Sequence, residues 1–563
     1  MGPCPLWVLL LKKFSIGKLS AIEVQELASA ALKSGLESQC VGKLAELGAC
    51  GHSPGNCHRD LVRKYFRFLE APDPWEVYGP LAVKKGGHRV EQMTAIHLLL
   101  PHHWVLQAEE NNFLKSLCCK DEELVAFWKS ESSCPQMTAE LKKVIETSQP
   151  SQLPVPYLLH GDAAPFTEVD SIQVLSFRCL LSSKAVTQSQ MLIAAVPKAA
   201  MTKETSKKLM EVLAWSWKVL WDGVVPKKAG MPTEKYKGKR IRRGVLWSVS
   251  GDLEWFAAEF GFPYAAANLL CPYCNADQCK EDSRRPFTDF RQTAAWKASV
   301  LSPSKLKEKF GAHPLFRAPC VTPLSIRLDI LHILDLGVAA YAHGSLLFSI
   351  MEKLPGASRL TNLNKNIVEA YDKLGVAAQK RIKHLSLSDL AESAEEYPCL
   401  KHIKGAKIRY FAPVALELAK EYSMDKAGKH REALAKQLVK AYQVLECSWQ
   451  EWRFEAFKKA VDDFMAHYSW LAANALEGGL HLWSLVQKSH VLLHLAEQGK
   501  FMHPSLSWTY GSESFMGWIV QIASSCTSGT PAEKLPLKAL QKFRLLFHLY
   551  LKGYISLDDD DGR

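Results

Sequence analysis

No run in this sequence reaches the roughly 18 uninterrupted apolar residues that a membrane-crossing helix needs. The apolar stretch at residues 6–11 is too short, and Lys12 and Lys13 follow it, whereas a secretory leader carries its charges first. Leu6 stands where a myristoylation signal carries Ser or Thr. The expectation is therefore a chain with no membrane partner. The 15 cysteines are odd in number and scattered, so no disulfide framework is expected, and a reducing compartment suits them. No internal repeat recurs, which excludes solenoid and propeller arrays. Nor is the composition biased: 47% hydrophobic and 23% charged residues exclude disordered and fibrous classes.

What is present is a chain of 563 residues, too long for one simple core, with a net charge of +12 and a pI near 8.9. That balance makes an anionic partner plausible. Residues 245–249 read as a buried strand that delivers Asp252 to its end, and residues 254–260 carry helical periodicity. Cys271-Pro-Tyr-Cys274 follows. A strand-end carboxylate is either a cap or a ligand for a hard cation, and a Cys-x-x-Cys pair is either a zinc half-site or a redox pair.

Taken in order, residues 1–150 read as a mostly helical N-terminal domain of unassigned role. Cys50, His52, Cys57 and His58 there are either loop residues or metal ligands. A Pro- and Ser-rich joint at 148–156 marks a boundary. Residues 151–301 form the first part of an α/β core. A short apolar strand at 157–162 ends in Asp162. Apolar strands at 172–181 and 191–196 follow, and residues 202–221 make an amphipathic helix with Leu209, Val212, Leu213, Trp217 and Leu220 on one face. Three strands, a helix and a fourth strand is the order of an RNase H-like mixed sheet. In that fold the first and fourth strands are neighbours, so Asp162 and Asp252 would meet and could hold divalent ions, Mg²⁺ or Mn²⁺, for phosphodiester chemistry.

A basic run precedes the fourth strand: Lys227, Lys228, Lys235, Lys237, Lys239, Arg240, Arg242 and Arg243. It reads either as a solvated loop or as a phosphate-contacting surface beside the acids. Residues 302–480 read as a large helical insertion, in which Asp329, His332 and Asp335 are expected as caps and core polar groups. Residues 481–550 close the core. His490 and His494 share one face of a helix at i, i+4 spacing and are either structural groups or, with Cys271 and Cys274, the second half of a Cys₂His₂ zinc set. Glu513, at the start of another helix, is either a dipole-stabilised helix residue or a third acidic ligand, with Glu497 the alternative. Residues 551–563 form an acidic tail expected to be disordered.

The segments Gly161-Asp162, Leu246-Trp-Ser-Val-Ser-Gly-Asp252, Leu270-Cys-Pro-Tyr-Cys274, His313-Pro-Leu-Phe-Arg317 and Leu331-His-Ile-Leu-Asp-Leu-Gly337 together resemble the transposase of plant-type CACTA (En/Spm) elements. The segments Lys488-Ser-His-Val-Leu-Leu-His-Leu-Ala-Glu497 and 508–517 resemble the wider transposon group that includes the vertebrate immune recombinase core. The resemblance spans about residues 155–525. It implies a nuclear DDE recombinase that cuts double-stranded DNA at element ends and joins the freed 3′-hydroxyl to target DNA. Asp162, Asp252 and Glu513 match its acidic triad, and Cys271, Cys274, His490 and His494 match its structural zinc ligands. Ala163-Ala164 and Gly251-Asp252-Leu253 depart from the family pattern without removing a carboxylate. A transposase-derived DNA-binding protein without nuclease activity stays open as the alternative, as does a zinc-stabilised helical scaffold. A homo-oligomer stays open as well.

Overall fold

Three strands of this chain are buried almost throughout, and they determine where everything else sits. A computed structural model describes residues 3–66, 69–114, 118–226, 237–278, 282–391, 393 and 395–557. After a hairpin of β1 (Trp75–Lys85) and β2 (His88–Leu98), the central sheet comprises β3 (Val155–Pro165), β4 (Ser171–Cys179), β5 (Met191–Pro197) and β6 (Gly244–Ser250). Its spatial order is β5-β4-β3-β6. β4 runs antiparallel to both β3 and β5, while β6 runs parallel to β3. Every residue of β5 and β6 is buried, as is β3 from Val155 to Gly161, so both faces of the sheet are covered.

A parallel neighbour requires a crossover, and the helix Lys203–Asp222 supplies it. Thr202 caps its start by accepting from Thr205 N–H at 3.2 Å. Gly223, with φ +67°, ends it in the left-handed conformation that a β-carbon disfavours. Leu209, Met210, Leu213, Trp217 and Leu220 form its buried face. The register of β3 on β6 then pairs His160 with Ser250. Asp162 and Asp252 each lie two residues beyond that pair, at the same end of adjacent strands. The architecture is mixed α/β with an extensive helical part.

The N-terminal helices Pro5–Ser15, Ala21–Lys33, Gln39–Ala45 and Cys57–Tyr65 build a small core of their own, closed by Leu545 and Leu549 of the helix Leu535–Leu551. The β1–β2 hairpin departs from the helical reading of residues 1–150. Gly86 and Gly87, with φ +54° and +87°, form its two-residue turn. Its outer half is largely exposed and polar, so the period-2 apolar alternation that marks a half-buried strand is weak. The Pro- and Ser-rich joint is packed rather than free: Leu153 and Val155 are buried in the same core as Leu81, Trp104 and Phe127.

Helices dominate from Pro303 to Glu477. The helix Leu331–Met351 has the length and hydropathy of a membrane span, yet 78% of its apolar window is buried inside the protein, as in a core helix. Its first part, Leu331–Ala339, is a π-helix. The chain then returns to the sheet through the helices Gln487–Gln498 and Tyr510–Ser524. Arg178 Nη2 donates to Leu506 O at 2.7 Å, and Ser250 Oγ to Ser507 O at 2.7 Å, fastening this return across β4 and β6.

Candidate functional site

Two clusters converge at this end of the sheet and beside it. In the first, Cys271 and Cys274 come from the loop after the helix Leu253–Phe260, and His490 and His494 from one face of the helix Gln487–Gln498. One ligand atom of each lies within 4.8 Å of the others, and all four residues are buried. Cys274 Sγ is 3.2 Å from His490 Nε2, which is 3.3 Å from His494 Nε2. A tetrahedral zinc with bonds of about 2.0–2.3 Å sets its ligand atoms about 3.3–3.8 Å apart, so the donor set and spacing both fit that ion. Tyr273 N–H points at Cys271 Sγ at 3.4 Å, and Gln487 Nε2 donates to Leu270 O at 2.6 Å, pinning the loop to the helix. Hydrogen bonds to its sulfur from Cys271, and then from the two imidazoles, drive the Cys274 thiol down against its burial, while burial holds His494 below its ordinary value, neutral. Burial, and then the neighbouring Cys274, push the Cys271 thiol the other way, so without a cation one sulfur of the pair keeps its proton.

The second cluster is acidic. Asp252 caps the helix Leu253–Phe260, accepting from Trp255 N–H at 2.6 Å. Trp255 in turn lies flat against Gly161: a β-carbon there would come within 2.0 Å of the indole ring. The glycine beside Asp162 is thus the space that the capped helix occupies. Glu513 enters from the first turn of the helix Tyr510–Ser524, and one ligand atom each of His160, Asp162 and Glu513 lie within 4.8 Å of one another. Burial, and then the charge of Asp252, raise the Asp162 carboxyl. Burial, and then the charge of Asp162, push Glu513 up to about 8. Carboxylates gathered without a cation repel one another and retain protons in this way.

Two residues expected as caps act here. His332 Nε2 is 3.6 Å from Glu513 Oε1, and its Nδ1 is 2.8 Å from Asp329 Oδ2. Burial opposes the charge on His332, but the hydrogen bond and charge of Asp329, with Glu513 and Asp162 beyond, raise it to about 9. His160 was not anticipated at all. Its signal was its place two residues before Asp162 in a strand, which puts both side chains on one face. Asp335 is a core group, accepting from Tyr442 Oη at 2.7 Å and from Tyr510 Oη. Glu497, the alternative third acid, pairs with Lys458 at 3.2 Å instead.

The described part of the basic run does not flank the acids. Lys227, Lys228 and Lys235 lie outside the described residues, as does the tail from 558. Lys237, Lys239, Arg240, Arg242 and Arg243 precede β6, whereas Asp252 follows it. At about 3.3 Å per residue the strand separates them by about 20 Å. The chain order alone, with these cations before the strand and Asp252 after it, sets them at opposite ends of β6. Lys239 meets Glu110 at 2.6 Å, and Arg242 N–H donates to Glu109 at 2.6 Å. Arg240, Arg242 and Arg243 line a surface cavity of about 470 Å³ with Ser148, Ser151 and Asp222.

No family model matches this chain, and no curated protein matches it. Among solved structures, the Drosophila P element transposase strand transfer complex is similar over 81% of this chain and 96% of that one, at 10% identity and a TM-score of 0.35. A likeness of that strength carries no argument about chemistry.

Proposed function

We propose that this chain is a DDE-type DNA transposase of the CACTA kind, built on an RNase H-like core. The observation that supports the reading is the meeting of Asp162 and Glu513, with Asp252 at the end of the adjoining parallel strand. Three carboxylates with raised proton affinity at two of them suit divalent cations such as Mg²⁺ or Mn²⁺. When bound, such ions would supply an activated water and neutralise charge at a phosphodiester. Asp162, Asp252 and Glu513 are the residues that would hold them. Cys271, Cys274, His490 and His494 would hold a structural zinc, tying the end of the helical insertion to the core. The partner is double-stranded DNA, drawn by the net positive charge, and the place of action is the nucleus.

The test is cleavage of duplexes carrying the terminal repeats that flank the coding sequence, in Mg²⁺ or Mn²⁺. Asp162→Asn, Asp252→Asn and Glu513→Gln should each abolish cleavage and leave duplex binding intact. Variants that cut like the wild type would overturn the assignment. A wild-type chain that binds these ends and never cuts them would instead be a transposase-derived DNA-binding protein.

A further inference from the structure

His160 poses a problem that the three carboxylates leave unsolved. It sits in β3 among Leu158, Leu159 and Gly161 and has no exposed surface. Both of its ring nitrogens are buried without a hydrogen-bond partner among the described residues. An imidazole in that position loses its water and gains nothing in return, where an apolar side chain would pack at no such cost. Yet one of its nitrogens lies within 4.8 Å of carboxylate oxygens of both Asp162 and Glu513. Glu513 Oε1 is likewise buried without a hydrogen bond. Two unsatisfied lone-pair donors from different elements face one space. The β-strand period puts His160 and Asp162 on the same side of the sheet, so the strand aims both at it.

We infer that His160 is a direct metal ligand, forming with Asp162 and Glu513 a mixed nitrogen and oxygen site. The inference rests on the reading of this acidic cluster as a divalent-cation site and specifies its chemistry. An imidazole nitrogen is a softer donor than a carboxylate or water oxygen. The site therefore prefers Mn²⁺ over Mg²⁺ more strongly than an all-oxygen site does.

The probe is Mn²⁺ added to the full-length, zinc-loaded chain, followed by electron paramagnetic resonance and electron spin echo modulation. Wild type should bind Mn²⁺ and show the modulation of one directly coordinated ¹⁴N imidazole. Asp162→Asn should lose the bound Mn²⁺, which excludes His490 and His494 as the source. His160→Phe should keep Asp162-dependent Mn²⁺, bound about tenfold more weakly, without the nitrogen modulation, and its preference for Mn²⁺ over Mg²⁺ should narrow. Mn²⁺ that depends on Asp162 but carries no nitrogen modulation in the wild type would overturn the inference and leave the carboxylate site standing. So would a modulation that persists in His160→Phe, which would assign the nitrogen to His332. Absence of any Asp162-dependent Mn²⁺ would sink both this inference and the cation-site reading beneath it.

Discussion

Replacing His494 by alanine should cost the protein its zinc and much of its stability, and replacing it by cysteine should not. The four ligands come from two segments on either side of the insertion, and all are buried. A metal that binds only the folded chain stabilises it by RT ln(1 + [Zn]/Kd), about 4 kcal/mol at a thousandfold saturation. His494→Ala forfeits that amount. That loss alone is a large part of the 5–15 kcal/mol by which native proteins are ordinarily stable. His494→Cys keeps four ligands in a Cys₃His set, a combination that zinc accepts. Metal analysis of purified protein and thermal melts of the three chains measure this directly. Wild type and His494→Cys should each carry one zinc, and His494→Ala none, with a melting temperature lower by many degrees. Equal melting temperatures for wild type and His494→Ala, or a wild type purified without zinc, would refute the reasoning.

Glu513→Gln should gain stability relative to wild type as pH rises. The Glu513 carboxyl is raised in the fold to about 8 from an ordinary 4.5, so its favourable contribution is complete below 4.5 and is lost as pH climbs through 8. The side chain is 35% exposed, and His332 offsets part of the penalty, so about 1–2 kcal/mol is expected at pH 9 after screening. Melts across pH 5–9 without added Mg²⁺ check it, and added Mg²⁺ should erase the difference. Gly161→Ala drives a methyl into the rigid Trp255 ring, an overpacking worth about 1–3 kcal/mol or more. It should lower the melting temperature and abolish cleavage together, because Asp252 caps the helix that must move. Neutralising Lys239, Arg240 and Arg243 should flatten the salt dependence of duplex binding by about one unit of slope for each phosphate they cease to neutralise. The Mn²⁺ affinity should stay unchanged, since these residues lie at the other end of β6.

The order of the central strands was legible because burial on both faces leaves its mark as short, nearly continuous apolar runs. β5 is such a run from end to end, and β6 is one from Val245 to Trp247. The amphipathic crossover helix was legible for the same reason, with its apolar residues at 3.6-residue spacing. The meeting of Cys271 and Cys274 with His490 and His494 could be anticipated because each half-site has a recognisable local spacing. The contacts of Asp329 could not. Its i+3 relation to His332 is that of any helix cap, and its distant partner, Thr509, carries no motif. His160 was hidden by its surroundings, since a single polar residue in an apolar strand alters the pattern little. The β1–β2 hairpin leaves little apolar period in the sequence because its outer half is largely exposed, and Gly86-Gly87 is its one local turn signal.

The helical insertion is more than an interruption of the core, because it supplies the second layer of the acidic cluster. Asp329, just before its long apolar helix, accepts from His332 N at 3.0 Å and His332 Nδ1 at 2.8 Å. It also accepts from Thr509 N at 2.9 Å and Thr509 Oγ1 at 2.7 Å. Burial works against its charge, but those bonds hold the carboxyl below its ordinary value, so it stays ionised. Thr509 directly precedes the helix that carries Glu513, and its carbonyl accepts Glu513 N–H at 2.8 Å. One buried carboxylate therefore fixes both the imidazole facing Glu513 and the backbone turn from which Glu513 projects. An acid delivered by the sheet, such as Asp162, inherits its position from strand register. Glu513 arrives on a helix that follows the whole insertion and has no register to inherit. The segment after β6 provides the missing constraint through Asp329, which holds both His332 and the turn that starts the helix carrying Glu513.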